Sequence, residues 1–66
     1  MRIRMNDEWM TLPEGSTLAQ TLNQLKLCGD GVATVVNEDS VPRDRRASRV
    51  LNDGDRVEIL LLAEGG

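Results

Sequence analysis

Leu18, Leu22 and Leu25 recur at helical spacing in a chain whose other apolar residues mostly alternate or gather in β-branched runs. Thr17-Leu18-Ala19-Gln20 just ahead of them fits a capping box, with Thr17 or Ser16 as cap and Gln20 reaching back. This predicts one amphipathic helix of about ten residues. Gly29 is the expected stop, followed by turn residues Asp30 and Gly31. One helix can cover only one face of a sheet, so the expected architecture is two-layered, with the leucine stripe over the strands.

The strands follow from the two-residue period. Met1 to Met5 places apolar residues at odd positions and Arg2 and Arg4 between them, the pattern of a strand with one buried face. Asn6-Asp7 is turn chemistry, and Glu8 to Leu12 is expected to return as the second arm of a hairpin. Val32 to Asn37 reads as a third strand, and Glu38-Asp39 as a turn. Ser40-Val41-Pro42 is expected to be a short extended piece at a sheet edge, because proline cannot donate to a ladder. Arg43 to Arg49 is polar and basic, and Asn52-Asp53-Gly54 is a turn into a last strand, Val57 to Leu62. The order is strand-strand-helix-strand-strand-strand, an α+β chain. If the first and last strands lie side by side, Met1, Ile3 and Met5 sit beside Val57, Ile59 and Leu61 over the helix. Leu60 and Leu62 then share the open face with Glu58, and they read as a partner-docking surface adjoining the C-terminus.

Sixty-six residues leave room for one small core, built here from nine Leu, six Val and two Ile, without Phe or Tyr. The domain is expected over residues 1–62, with 63–66 as a flexible tail. Eleven acidic residues against eight basic ones give a net charge of −3, which argues against nucleic acid as a partner. No apolar run approaches a membrane span and no leader pattern precedes the first strand, so a cytoplasmic location is expected.

Autonomous catalysis is not expected. Histidine is absent, and one cysteine with scattered acids builds neither a nucleophilic constellation nor a metal site. Gly29-Asp30-Gly31 lacks the pattern of a phosphate loop. Cys28 reads as a packing residue at the helix end. Arg43, Arg45, Arg46 and Arg49 form a basic cluster, read either as a solvated face or as an electrostatic contact with a partner.

What remains is the ending, Ala63-Glu64-Gly65-Gly66. With glycine near 7% of ordinary sequence, a closing Gly-Gly arises by chance about once in 200 chains. A carboxylate is a poor electrophile and must be activated, usually as an acyl-adenylate, before it can donate an acyl group or accept sulfur. An activating enzyme would draw it into a narrow, water-excluding channel, and two glycines carry no Cβ to obstruct that entry.

Along its whole length the chain resembles the ThiS sulfur carriers of bacterial thiamin biosynthesis. The matching residues are the first strand into Asn6-Asp7, the Gly15-Ser16-Thr17-Leu18 helix entry, and Val36-Asn37-Glu38-Asp39-Ser40-Val41-Pro42-Arg43. Asp53-Gly54-Asp55 and the closing Gly65-Gly66 complete the set. Glu64 departs from the small or apolar residue expected before the diglycine. The resemblance implies a ubiquitin-like β-grasp fold and a cycle centred on Gly66, presented by Gly65, Glu64 and Ala63. An E1-like adenylyltransferase of the ThiF type would adenylate the Gly66 carboxylate with ATP and Mg²⁺, no cofactor being held by the chain itself. A cysteine desulfurase-derived sulfur donor would then convert it to a thiocarboxylate, and thiazole synthase of the ThiG type would take the sulfur. The alternatives are a small subunit of the molybdopterin-synthase type, a ubiquitin-like modifier, or an interaction module.

Overall fold

The computed structural model describes residues 1–27 and 31–61. Strands β1 (Arg2–Met5) and β2 (Glu8–Thr11) form the N-terminal hairpin, and helix α1 spans Leu18–Gln24. Strands β3 (Val32–Val36) and β4 (Asp39–Val41) follow, then a 3-10 turn at Arg43–Arg45, and strand β5 (Arg56–Leu61). The sheet order is β2-β1-β5-β3-β4. β5 runs parallel to β1, while the β1–β2, β3–β4 and β3–β5 pairs are antiparallel. The first and last strands are neighbours, as expected, and α1 is among the elements that connect the two halves of the sheet. This is the mixed α+β sheet of the ubiquitin-like β-grasp fold.

Two tight turns govern the hairpins. Asn6 and Asp7 have φ of 48° and 71°, and Asn37 and Glu38 have φ of 50° and 75°. Paired left-handed residues match the right-handed twist of the strands they join. The second turn therefore lies at Asn37-Glu38, one residue before the position expected, and Asp39 already belongs to β4.

The capping box forms as the sequence indicates. Thr17 Oγ1 accepts from the Gln20 backbone N–H at 3.1 Å, and Gln20 Oε1 accepts from the Thr17 N–H at 2.9 Å. The helix is shorter than expected and does not run to Gly29, because Lys26 takes a left-handed φ of 61°. The Lys26 N–H donates to the Asn23 carbonyl at 3.1 Å and the Leu27 N–H to the Leu22 carbonyl at 2.8 Å, the two bonds of a Schellman ending. Leu25 consequently sits at the C-cap and is exposed, while Thr21 joins Leu18 and Leu22 on the buried face. Thr21 satisfies its hydroxyl by donating to the Thr17 carbonyl at 3.0 Å.

Ile3, Met5, Leu12, Leu18, Leu22, Val36, Val41, Leu51, Val57 and Ile59 make one core between helix and sheet. Leu51 comes from a stretch that reads as polar. The chain from 46 to 51 runs past the start of α1, where the Arg49 and Arg46 carbonyls accept from the Leu18 and Ala19 N–H groups at 2.9 and 3.0 Å. These donors lack partners inside the helix, so the crossing segment both caps α1 and delivers Leu51 to the core.

Two expectations about side chains are overturned. Leu61, expected on the buried face with Val57 and Ile59, is 71% exposed. A seven-residue helix is about 10 Å long, whereas six strand residues span about 20 Å, so α1 cannot cover the whole of β5. Arg46, grouped by sequence into a basic surface cluster, is only 6% exposed. Its Nη2 donates to the Val32 carbonyl at 2.6 Å and its Nε to Thr34 Oγ1 at 3.2 Å. Thr34 passes the network on by donating to the Val41 carbonyl at 2.8 Å. The register is also offset. Met5 pairs with Val57 and Arg4 with Arg56, so Met1 and Ile3 lie before the start of β5 rather than beside it.

Candidate functional site

The candidate site is the root of the C-terminal segment, the stretch of β5 from which the rest of the chain departs. Its backbone is fastened by side chains as well as by strands. At the entry, the Asp55 carboxylate is buried and doubly bonded: Oδ1 accepts from Asn37 Nδ2 at 2.9 Å, and Oδ2 from the Asn52 N–H at 2.8 Å. Asn37 also exchanges two bonds with Arg56, its Oδ1 accepting from the Arg56 N–H at 2.9 Å and its own N–H reaching the Arg56 carbonyl at 2.8 Å. The Asn37 turn therefore locks β5 onto β3 at the start of the strand.

Farther along, β1 ends while β5 continues. The Arg4 and Asn6 N–H groups donate to the Asp55 and Val57 carbonyls at 2.9 and 3.0 Å, and there the main-chain ladder to β1 stops. The Asn6 side chain then acts as one more rung. Its Oδ1 accepts from the Ile59 N–H at 2.9 Å, and its Nδ2 donates to the Ile59 carbonyl at 3.4 Å. On the other side, β3 accompanies β5 to the Val32–Leu61 pair, and Arg46 holds the Val32 carbonyl. β5 is thus held on both sides as far as Ile59 and on one side as far as Leu61.

Past that point the strand offers apolar surface. Leu60, predicted on the open face, is 55% exposed and lies opposite Ala33. Leu61 is exposed as well, but on the opposite, helix-side face of the strand beyond the end of α1. Charged side chains dominate the rest of the open face, with Trp9 among them. Arg4 pairs with Asp7 at 3.6 Å, Arg56 with Glu38 at 3.3 Å, and Arg2 lies 5.0 Å over the Trp9 ring. An apolar spot within a charged rim is the general make-up of a protein-binding surface.

Leu62, Ala63, Glu64, Gly65 and Gly66 lie outside the described residues, as do Cys28, Gly29 and Asp30. Among the described residues no group of His, Cys, Asp and Glu could hold a metal ion, and no helix is long and apolar enough to cross a membrane. Reading residue types did not single out Asn6, Asn37 or Asp55 as fastenings around β5, nor Arg46 as a fastening of its neighbour β3. The available signal was the repetition of Asn at two tight turns, each of which the topology brings against the final strand.

Residues 3–66 match the ThiS family. The chain is 33% identical to the sulfur carrier protein ThiS of Escherichia coli over 66 residues, the whole of both chains. It is 38% identical to the sulfur carrier protein ThiS of Thermus thermophilus over 53 residues, covering 80% of this chain and 83% of the relative. The crystal structure of the thiamine biosynthesis protein ThiS from Geobacter metallireducens superposes with a TM-score of 0.85 at 26% identity, covering all of both chains. With the β-grasp sheet, the fastened last strand and a family match running through Gly66, this chain belongs to the ThiS family of sulfur carrier proteins.

Proposed function

We propose that this protein carries sulfur for the thiazole ring of thiamin as a thiocarboxylate on Gly66. The observation that carries the reading is the family match through residue 66, with end-to-end alignment to the Escherichia coli sulfur carrier. The chemistry is divided between chain and partners. A ThiF-type adenylyltransferase, using ATP and Mg²⁺, joins a Gly66 carboxylate oxygen to the α-phosphorus and releases pyrophosphate. The terminal sulfur of a persulfide made by a cysteine desulfurase then attacks the acyl carbon, and AMP leaves with the oxygen it acquired. A thiol reductant cleaves the resulting acyl disulfide to leave the thiocarboxylate. A ThiG-type thiazole synthase takes the sulfur and returns the carboxylate. The chain acts as a co-substrate of these enzymes, not as a catalyst, and works in the cytoplasm.

In this reading the residues of the chain bind and orient. Asn37, Asp55 and Asn6 hold β5 so that the tail leaves from a fixed point, and a fixed departure point lowers the ordering cost of threading. Leu60 and Leu62 provide the grip, and Leu61 is exposed on the other face of the strand end. Gly65, Glu64 and Ala63 present the terminal carboxylate, the two glycines allowing a narrow channel.

The test is genetic. An Escherichia coli strain lacking its own ThiS and rescued by this chain should lose thiazole-independent growth when Gly66 is deleted. Continued growth without thiazole would contradict the reading.

A further inference from the structure

The four arginines that follow β4 do not act together. Arg46 is buried and spends its guanidinium on Val32 and Thr34. Arg45 and Arg49 instead line a recess of about 310 Å³ with Asp39, Ser40, Val41, Pro42 and Ser48. This volume lies at the lower end of the range for small-molecule sites. The recess lies along β4, at the sheet edge, and β3 separates that strand from β5 and its exposed leucines.

The state of the two guanidinium groups is the informative point. Elsewhere the arginines are engaged: Arg4 by Asp7, Arg56 by Glu38, Arg2 over Trp9. Among the described residues no ion pair or hydrogen bond engages the guanidinium of Arg45 or Arg49. Arg49 is moreover half-buried. In a chain of net charge −3, two unpaired cations beside a concave surface form a local reversal of sign. The Ser40 hydroxyl has a free donor, and the Ser48 hydroxyl, which donates to the Arg45 carbonyl at 3.2 Å, can still accept. Asp39 contributes one carboxylate to the lining, an acceptor for a ligand hydroxyl.

We propose that this recess is a binding site for a small phosphorylated, hydroxyl-bearing molecule, its phosphate taken by Arg45 and Arg49 and a hydroxyl by Asp39. Two guanidinium groups suit the charge of a phosphomonoester, and their planar donors bond its oxygens in pairs. A concave, partly polar lining selects a compact ligand over a flat protein surface. The proposal does not depend on the sulfur-carrier reading, since no residue of β5 lines the recess.

The experiment is an NMR titration of the full ¹⁵N-labelled chain at low ionic strength, first with inorganic phosphate and then with ribose 5-phosphate as probes. The expected result is saturable shifts centred on Arg45, Ser48 and Arg49. The R45Q/R49Q variant should bind about tenfold more weakly or worse, as the loss of charged hydrogen bonds requires. An R2Q variant should bind as the parent does, and core amides such as Val36 should keep their positions in every variant. Ribose 5-phosphate should bind at least about threefold tighter than phosphate, the contribution of one further hydrogen bond. Shifts spread evenly over all arginines, unchanged affinity in R45Q/R49Q, or equal affinity for the two probes would overturn the proposal.

Discussion

Several residues hold conformations that their side chains do not favour, and they mark where stability can be gained or lost. Glu38 and Lys26 both have positive φ without being Gly, Asn or Asp. Glu38→Gly should raise stability by about 0.4–1 kcal/mol by relieving the left-handed strain. The Arg56–Glu38 pair lost with it is exposed and contributes little. Lys26→Gly, at the residue after the helix C-cap, should gain a similar amount of about 0.4–1 kcal/mol for the same reason. Urea denaturation of each variant checks both values. Asn6 is the opposite case. Asn6→Ala removes the rung at Ile59 and should cost about 1–2 kcal/mol. Hydrogen exchange should speed up most at the Ile59 amide, while exchange at Ile3 and Val36 follows only the global change.

At the scale of elements, the mismatch between α1 and β5 decides which apolar residues are core. Ile59 lies under the helix and Leu61 beyond it, although both occupy the same face of one strand. Ile59→Ala should therefore cost about 2–5 kcal/mol, whereas Leu61→Ala should stay within about 0.5 kcal/mol of the parent. Equal losses in a denaturation experiment would contradict the assigned geometry. The same mismatch explains which features could be read from the sequence. The capping box, the alternation of β1 and the Leu18–Leu22 part of the leucine period are local signals that appear where the residues place them, whereas Leu25 falls at the exposed C-cap. The helix end was not legible, because Lys26 is not a residue type that stops helices. Its Schellman bonds depend on Leu27 folding back onto the core. Leu51 and Arg46 were hidden for a related reason. They lie in a polar segment whose burial comes from crossing the start of α1, a contact between residues about thirty positions apart that no local pattern encodes.

For the molecule as a whole, the fold serves as a holder for one strand. β5 lies at the centre of the sheet; the Asn6 and Asn37 side chains bond its backbone, and Asp55 holds the Asn37 side chain in place. This arrangement puts the stability of the domain behind the end of β5. The candidate site was accordingly legible in part. The diglycine and Leu60 stood out by residue type, but the clamps did not, because an asparagine at a turn is ordinary until the topology sets it against another strand. The proposed function turns on Gly66, and intact-mass measurement tests that role most directly. The full chain is incubated with ATP, Mg²⁺, a ThiF-type adenylyltransferase, cysteine, a cysteine desulfurase and a thiol reductant, and its C-terminal peptide is then analysed. The predicted result is replacement of one oxygen by sulfur at Gly66, dependent on ATP and absent when Gly66 is deleted. An unchanged mass under conditions that convert the Escherichia coli relative, or sulfur found elsewhere in the chain, would contradict it.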